Sequence, residues 1–297
     1  MPNAHAIADR TVFGIGIAFV AFLILSMADA LTKLLSARYS VFEIASIDAV
    51  FALAVVLPVL IRQDGVASLM PRRPGIVILR CALGAGSLML AFLAFAAIPL
   101  ADAYSLAFLT PLAVTALSAP VLGEHVGWRQ WLAVAIGFAA VVAILRPDFG
   151  TIGLGQLDIL ASAAAFAGSM LILRRIAKTE TSGALLLVYF IMLFLIGLPV
   201  AITRWQTPGL TDFLLMAATG ACSGLGNLLL IVAFRYASAA IVSSFMYSQL
   251  IWGTVFGAFL FHDLPDLITI GGAAIIMLCG IYTLTHASRT ARAAVGA

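Results

Sequence analysis

Charged residues are scarce in this sequence. Only 10% of its 297 residues are charged, with 16 Lys and Arg against 13 Asp and Glu. A soluble domain carries about 25% charged residues, so this chain could not cover a soluble surface of its size. The shortage excludes a soluble globular fold, intrinsic disorder and a nucleic-acid-binding surface. We therefore relate the net charge of +3 to membrane orientation rather than to an anionic partner.

Cysteine and histidine are also scarce, and the common catalytic motifs are missing. The three cysteines stand alone in apolar segments, which is typical of small core residues rather than of disulfides or metal sites. The sequence contains no H-E-x-x-H and no G-x-x-x-x-G-K-[ST], which argues against a membrane metalloprotease and against direct use of ATP. We expect no catalytic residues, no metal and no cofactor.

Long apolar runs make up most of what is present. The apolar fraction is 63% and the mean hydropathy is +1.15. A helix of about 20 apolar residues spans a bilayer and satisfies its own backbone hydrogen bonds, whereas barrel strands would alternate polar and apolar residues. The pattern predicts an all-α integral membrane protein. Ten apolar segments are predicted, over residues 11–36, 41–61, 74–97, 101–122, 127–146, 155–177, 183–203, 211–235, 239–260 and 266–285.

The positions of Lys and Arg predict the orientation, because cytoplasmic loops are enriched in both. With a cytoplasmic N-terminus, only Lys33, Arg38, Arg146 and Arg204 of the 16 basic residues fall on the opposite side. Ten spans then place both termini in the cytoplasm. We expect a multi-pass monomer in the bacterial cytoplasmic (inner) membrane, surrounded by lipid and without a nucleic-acid partner.

An internal repeat appears at an offset of 139 residues. The aligned residues are Ala94-Phe95 with Ala233-Phe234, Ala101 with Ala240, Ser105 with Ser244, Glu124 with Asp263, Ala28 with Ala167 and Phe51 with Phe190. Pro58 aligns with Pro199 after a slip of two residues. The common register maps segments one to five onto segments six to ten.

A repeat with an odd number of spans must enter the membrane from opposite sides in its two copies. Inverted repeats of this kind are typical of secondary transporters, with the substrate site near the bilayer midplane. The predicted organisation is a cytoplasmic tail (1–10), a first five-helix repeat (11–146), a connector (147–154), a second, inverted five-helix repeat (155–285) and a second cytoplasmic tail (286–297).

The first repeat contains A-Y-S-L-A-F-L-T-P-L over 103–112, L-G-E over 122–124 and R-Q-W over 129–131. With these motifs it resembles the EamA branch of the drug/metabolite transporter superfamily. The second copy, over 239–263, is degenerate. The resemblance implies ten helices around a central cavity lined by segments one, three, four, six, eight and nine, and alternating access. It looks most like the YddG-type bacterial amino-acid exporters.

Polar and aromatic residues recur at helical spacing in segments four and nine. We expect them to face the cavity, with helix packing or an interfacial aromatic belt as the alternative. The candidates for substrate binding are Tyr104, Phe108, Thr110, Ser244, Tyr247, Gln249 and Trp252, together with Asn227 in segment eight. Pro111 and Pro120 would each free a backbone carbonyl at membrane depth, which must then find a partner in protein or cavity water.

Ionisable residues within spans are costly and mark functional sites by default. Asp48 lies among apolar neighbours with no nearby cation, so we expect it to carry a proton or to bind a substrate ammonium group. A hydrogen bond to another helix is the alternative. Asp29 and Lys33 are four residues apart on one helical face, which predicts an ion pair at the outer gate. A substrate or proton role for these two residues is the alternative. Arg80 and Glu124 are expected to be gating or structural residues.

The sequence thus predicts a secondary-active or facilitative transporter that exports neutral or aromatic amino acids and related metabolites by alternating access. The partner would be a small molecule, and protons are a candidate coupling ion. One alternative is an exporter or exchanger of another small metabolite or drug, such as an S-adenosylmethionine-like compound. Alternatives of another class are an intramembrane enzyme and a lipid flippase.

Overall fold

The chain folds as a bundle of helices. The computed structural model describes residues 4–110, 112–114, 116–117, 127–145, 153–176, 179–236 and 245–295. These residues contain ten α-helices and no strand. The helices are α1 (Ala4–Ser36), α2 (Val41–Asp64), α3 (Pro74–Ala97), α4 (Leu100–Ala107), α5 (Trp128–Leu145), α6 (Leu154–Ile176), α7 (Ser182–Thr203), α8 (Leu210–Tyr236), α9 (Ser248–Phe256) and α10 (Leu267–Val295). The prediction of an all-α fold is confirmed for this part of the chain.

The helices begin and end where the local sequence favours it. Pro74 opens α3, at a position where its missing N–H would have had no helical partner. Thr181 caps α7, and its hydroxyl accepts a hydrogen bond from the Ala184 N–H at 3.2 Å. Gly65 follows α2 with a φ of 75°, a conformation that glycine adopts without steric cost. Local chemistry therefore fixes these three boundaries.

Six helical stretches of the described chain are long and apolar enough to cross a membrane. They are Val12–Ser36, Val41–Asp64, Pro74–Ala97, Leu154–Leu173, Ser182–Thr203 and Leu210–Ala233. The described residues of the remaining segments contain shorter apolar helical stretches, Leu100–Val114, Trp131–Ile144, Phe245–Phe261 and Leu267–Cys279. In segment four, α4 ends at Ala107 and the chain turns at Phe108 and Leu109.

Segment nine is also interrupted. A 3-10 turn over Phe245–Tyr247 precedes α9, and a π-helical turn over Gly257–Phe261 follows it. His262 then adopts a left-handed conformation with a φ of 56°. Irregular turns inside a helical segment frequently occur at functional sites, because they redirect side chains.

The two predicted tails are partly helical. α1 begins at Ala4, and α10 continues to Val295. The end of α10 is rich in Ala and Arg, which are strong helix formers, so apolar periodicity is not needed to extend it.

The helices pack in pairs that are related by the repeat. α1 packs along α8, and its counterpart α6 packs along α3. α2 packs against α8, and α7 packs against α3 in the same way. α2 also crosses its own counterpart α7, each with an internal proline, Pro58 or Pro199. The described residues therefore form two similar helix groups, each built from both repeats.

Glycines allow α8 to lie directly on α2. A Cβ atom on Gly220 would collide with the backbone carbonyl of Asp48, and one on Gly224 would lie 2.8 Å from the carbonyl of Ala52. The motif Gly220-x-x-x-Gly224 thus serves the close packing of α8 on α2. The crossing holds Asp48 against α8.

Candidate functional site

A central cavity of about 290 Å³ lies in the middle of the bundle. It is lined by residues of α1, α3, α4, α6 and α8 and of the segment around α9, which are the segments expected. It also reaches α7, through Tyr189 and Phe190. Aromatic rings form much of its wall, namely Phe22, Phe92, Phe95, Tyr104, Phe108, Phe166, Tyr189 and Phe190.

Few polar groups face this cavity. The polar lining residues are Asp29, Ser87, Tyr104, Thr110, Ser162, Tyr189, Ser223, Asn227 and Gln249. Among the lining residues that the structure describes, none is Lys, Arg or His, and Asp29 is the one acidic residue. A mostly apolar pocket with a few directed polar groups is typical of small-molecule sites.

Asp29 is held at the cavity wall by Tyr104. The Tyr104 hydroxyl donates a hydrogen bond to Asp29 Oδ2 at 2.6 Å, joining α4 to α1. The Tyr104 ring is buried and packs edge-on against Phe95 with 5.7 Å between centroids. Its other side contacts α9 at Gly253, where an added Cβ would collide with the ring. The packing thus fixes the position of the Asp29 carboxyl.

The predicted ion pair between Asp29 and Lys33 is wrong. Lys33 Nζ donates to the Ile98 carbonyl at 2.6 Å, lies 3.9 Å from Asp263 Oδ2 and sits over the Phe261 ring, 5.2 Å from its centroid. Helical spacing brings Asp29 and Lys33 onto one face, but a long lysine side chain also reaches past its helix end. Lys33 therefore links α1 to the end of α3 and to the turn after α9, in the other repeat.

Local geometry positions Asp263 for this contact. The His262 N–H closes the π-helical turn on the Gly257 carbonyl, and the Asp263 N–H donates to the same carbonyl at 3.0 Å. Left-handed His262 then reverses the chain immediately before Asp263. The expectation of a gating role for Lys33 rests on this cluster and remains a prediction.

Asp48 lies behind the cavity wall and does not contribute to the lining. Its side chain has no exposed surface. Ser223 lines the cavity, and its hydroxyl donates to Asp48 Oδ1 at 2.7 Å. Asp48 Oδ2 has no hydrogen-bond partner among the described residues. The structure thus gives Asp48 the interhelical hydrogen bond that was the alternative expectation.

Five of the predicted binding residues line the cavity: Tyr104, Phe108, Thr110, Asn227 and Gln249. Tyr247 and Trp252 do not. The Tyr247 ring packs edge-on against the far side of Phe108 at 4.9 Å, and Trp252 packs against Phe19 at 5.2 Å.

The reason lies in the 3-10 turn over Phe245–Tyr247. Successive side chains turn by about 120° in a 3-10 helix and by about 100° in an α-helix. A stripe drawn at α-helical spacing through segment nine therefore does not stay on one face. Of the part of this segment that the structure describes, Met246 and Gln249 reach the cavity.

The remaining candidates lie elsewhere. Ser244, Pro111, Pro120 and Glu124 are outside the described residues. Arg80 does not line the cavity, and its Nη1 lies 3.7 Å from the sulfur of Cys81.

A pair of serines in the cavity wall was not among the residues predicted from the sequence. The Ser87 hydroxyl donates to the Ser162 carbonyl at 2.9 Å, and the Ser162 hydroxyl donates to the Ser87 carbonyl at 2.8 Å. This reciprocal pair joins α3 to α6, one helix from each repeat. Isolated serines in apolar helices carry little signal of their own. A comparison of serines on helices that are expected to face each other could have revealed this pair.

The family model described as the EamA-like transporter family matches residues 12–146 and 153–285 of the chain. The chain belongs to the EamA-like transporter family. The predicted resemblance is confirmed at this level, and the all-helical two-repeat fold agrees with it.

Several curated EamA-like relatives match over most of their length. The S-adenosylmethionine uptake transporter of Rickettsia bellii is 26% identical over 271 residues, covering 91% of this chain and 93% of the relative. The pseudopaline exporter CntI of Pseudomonas aeruginosa is 28% identical over 278 residues, covering 92% and 96%. The riboflavin transporter of Vibrio cholerae is 27% identical over 237 residues, covering 79% and 80%.

A solved crystal structure has the same fold. It superposes with a TM-score of 0.65 at 19% identity and covers 94% of this chain and 98% of its own. The named relatives carry different compounds and differ in direction. The family match therefore makes the chain a member of a membrane transporter family, whereas the compounds named belong to the relatives.

Proposed function

We propose that this protein is a secondary-active or facilitative transporter that carries a small organic cation through the central cavity by alternating access. The observation that carries the proposal is the Asp29 carboxyl, fixed by Tyr104 at 2.6 Å on the wall of an aromatic cavity. The family supports transport, and the charge of the wall supports the substrate class.

A cation fits this wall better than an anion does. Coulomb attraction is much stronger in a poorly hydrated cavity than in water. Aromatic faces also attract cations within about 6 Å of the ring centroid. The described lining has no basic side chain to pair with Asp29 or with a substrate carboxylate. A bound ammonium or sulfonium group would supply the missing positive charge.

The size of the cavity limits the substrate to a small molecule. Its volume of about 290 Å³ lies near the lower end of the range for ligand sites, about 300–1,000 Å³. S-Adenosylmethionine, the compound named in one relative, carries a sulfonium and an ammonium group, and it is therefore one of the first compounds to test.

Export of neutral or aromatic amino acids is the second candidate. Asn227 and Gln249 line the same cavity and carry amide groups that can donate to a carboxylate. An amino acid could then place its ammonium group at Asp29 and its carboxylate at these amides. The absence of Arg and Lys from the described lining makes this arrangement weaker than binding of a simple cation.

We place the protein in the bacterial cytoplasmic membrane as a monomer, with both termini cytoplasmic and the two repeats inverted. The paired packing of α1 with α8 and of α6 with α3 supports this arrangement, because it relates the two helix groups by exchange of repeats. Such groups can rock about a site between them. A transporter rather than an enzyme is favoured, since the chain belongs to a transporter family and Asp29 is the one acidic residue among the lining residues that the structure describes.

Counterflow in proteoliposomes tests the proposed substrate class. Proteoliposomes that contain the purified protein are loaded with S-adenosylmethionine or phenethylamine. Entry of the same compound, in labelled form, is then measured. Phenethylamine, phenylalanine and 3-phenylpropionate share one ring and differ in charge. We expect competition in that order. Competition by phenylalanine well above that of phenethylamine would favour the amino-acid exporter instead.

A further inference from the structure

The Asp48 carboxyl is buried with one of its two oxygen atoms unsatisfied. Ser223 donates to Oδ1, whereas Oδ2 has no partner among the described residues. A buried carboxylate without a cation or further donors is strongly disfavoured, so such a group takes up a proton or acts in a functional cycle. Glu43 on the same helix is also buried with one oxygen, Oε1, unsatisfied, but its hydrogen-bond partner is the Gln206 N–H, which lies outside the cavity lining.

A serine connects this buried carboxyl to the cavity. Ser223 lies on the cavity wall, and its hydroxyl is 2.7 Å from Asp48 Oδ1. A hydroxyl can donate or accept, so the same contact serves a protonated and an ionised carboxyl. Asp48 is therefore one hydrogen bond away from the space where substrate and water enter.

The surrounding groups do not neutralise Asp48. The titratable groups that interact with it electrostatically are Asp29 on α1, Tyr189 on α7 and Cys222 on α8. Arg80 and Cys81, on α3, interact with Tyr189 instead. Since none of the groups around Asp48 is basic, a cation has to come from outside the wall.

The equivalent helix crossing in the other group shows that the fold does not require this pair. Gly84 lies one repeat offset before Ser223, and α3 meets α7 as α8 meets α2. There the Tyr189 ring lies 3.4 Å from the position of a Cβ on Gly84. Gly84 and Tyr189 thus meet where α3 crosses α7, whereas Ser223 and Asp48 meet where α8 crosses α2. Packing alone does not explain Asp48.

We infer that Asp48 is a proton-binding site, reached from the cavity through Ser223, at which one proton exchanges for one substrate cation. The inference rests on the proposed function for its substrate. Asp29 and Asp48 interact with each other, and two charged carboxylates repel. With the cavity empty, Asp48 holds the proton and Asp29 carries the charge. When a cation binds at Asp29, its positive charge allows Asp48 to ionise.

The proton then passes from Asp48 to the cavity by way of Ser223. The Asp48 carboxyl gives its proton to the Ser223 oxygen while the Ser223 hydroxyl gives its own proton to a cavity water. The net change is the loss of one proton from Asp48, and no other bond is altered. A metal cation fits less well, because the described residues contain no cluster of three or more His, Cys, Asp or Glu ligands.

Infrared difference spectra of reconstituted full-length protein test the site independently of transport. We expect a protonated-carboxyl C=O band that changes with pH, is lost in Asp48→Asn and is shifted in Ser223→Ala. Glu43→Gln is the matched control, since Glu43 is an equally buried carboxyl on the same helix. The band should remain in Glu43→Gln and in Asp29→Asn. Its absence from the wild type, its loss in Asp29→Asn or its persistence in Asp48→Asn would overturn the inference.

Proton release during exchange tests the coupling. With phenethylamine added to wild-type proteoliposomes, a trapped pH dye should report release, and Asp48→Asn should lower it to the level of protein-free liposomes. Unchanged release in Asp48→Asn, or exchange that depends on sodium instead of protons, would contradict the inference. If the infrared band behaves as expected but no cationic probe exchanges, the proton site stands and the proposed substrate class is wrong.

Discussion

The hydroxyl of Tyr104 donates to the carboxylate of Asp29 at 2.6 Å, so a residue of α4 positions the acidic group of α1. Tyr104 is itself wedged between Phe95 and Gly253. Three helices therefore determine where one carboxyl faces the cavity. We therefore expect the proposed charge selectivity to change when Phe95 or Gly253 is substituted, although neither residue packs against the Asp29 carboxyl directly.

Tyr104→Phe removes the hydrogen bond and keeps the ring. A hydrogen bond to a charged group contributes about 1.5–3 kcal/mol, so we expect KM for a cationic probe to rise roughly tenfold or more. Tyr236→Phe is the matched control, because Tyr236 is exposed at the end of α8. Counterflow kinetics measure both variants. Equal KM values in Tyr104→Phe and the wild type would show that the hydroxyl does not position Asp29.

Gly253→Ala should also disturb the position of Tyr104, in this case from the α9 side of its ring. The added methyl group collides with the Tyr104 ring, and overpacking of this kind costs about 1–3 kcal/mol. We expect a lower Tm and a higher KM for cationic probes. Gly271→Ala on α10 is the control, since a Cβ there meets no atom within 4 Å. A Gly253→Ala variant with wild-type transport and stability would contradict the close packing against Tyr104.

Lys33 and Asp263 join the two repeats at one end of the bundle, and we expect the contact to act as a gate. The Asp263 side chain is 38% exposed, so the pair adds only about 0–1 kcal/mol to stability. Asp263→Asn should leave Tm nearly unchanged but speed the labelling of Phe95→Cys by an impermeant thiol reagent. The background for this test lacks the three native cysteines.

Asp64→Asn serves as the control for the gate, because Asp64 is an exposed carboxylate at the end of α2. It should not alter the labelling of Phe95→Cys. Equal labelling rates in Asp263→Asn and Asp64→Asn would remove the Lys33–Asp263 contact from the gating mechanism.

The proposed orientation predicts which loops face the cytoplasm. Cysteines replacing Arg72 or Arg175 should react with impermeant reagents only from the cytoplasmic side, whereas a cysteine replacing Arg38 should react from outside. All three positions are exposed, so access depends on sidedness rather than on burial. Reaction of Arg72→Cys or Arg175→Cys in intact cells would overturn the inverted arrangement.

Much of the fold could be predicted from hydropathy alone. The segment 74–97 coincides with α3, and 183–203 differs from α7 by one residue, because lipid-compatible helices must be long, apolar and bounded by turn residues. The glycine motif at Gly220 could also be assigned, since small residues four apart in an apolar helix have few other uses.

The site was less predictable, because it depends on contacts between distant helices. Helical spacing suggested that Asp29 pairs with Lys33, but the actual partner of Asp29 is Tyr104, 75 residues away along the chain. The 3-10 turn before α9 moved Tyr247 out of the predicted stripe. Ser223, which separates Asp48 from the cavity, has no distinguishing sequence pattern.

Binding of the phenyl series to wild-type protein and to Asp29→Asn tests the central claim most directly. Titration calorimetry in detergent gives the affinity ratio of phenethylamine to 3-phenylpropionate for each protein, with Asp158→Asn, a partly exposed carboxylate on α6, as control. We predict that the wild type and Asp158→Asn prefer the cation at least tenfold, and that Asp29→Asn loses this preference while still folding. An unchanged preference in Asp29→Asn would contradict the assignment of the cavity as a cation site.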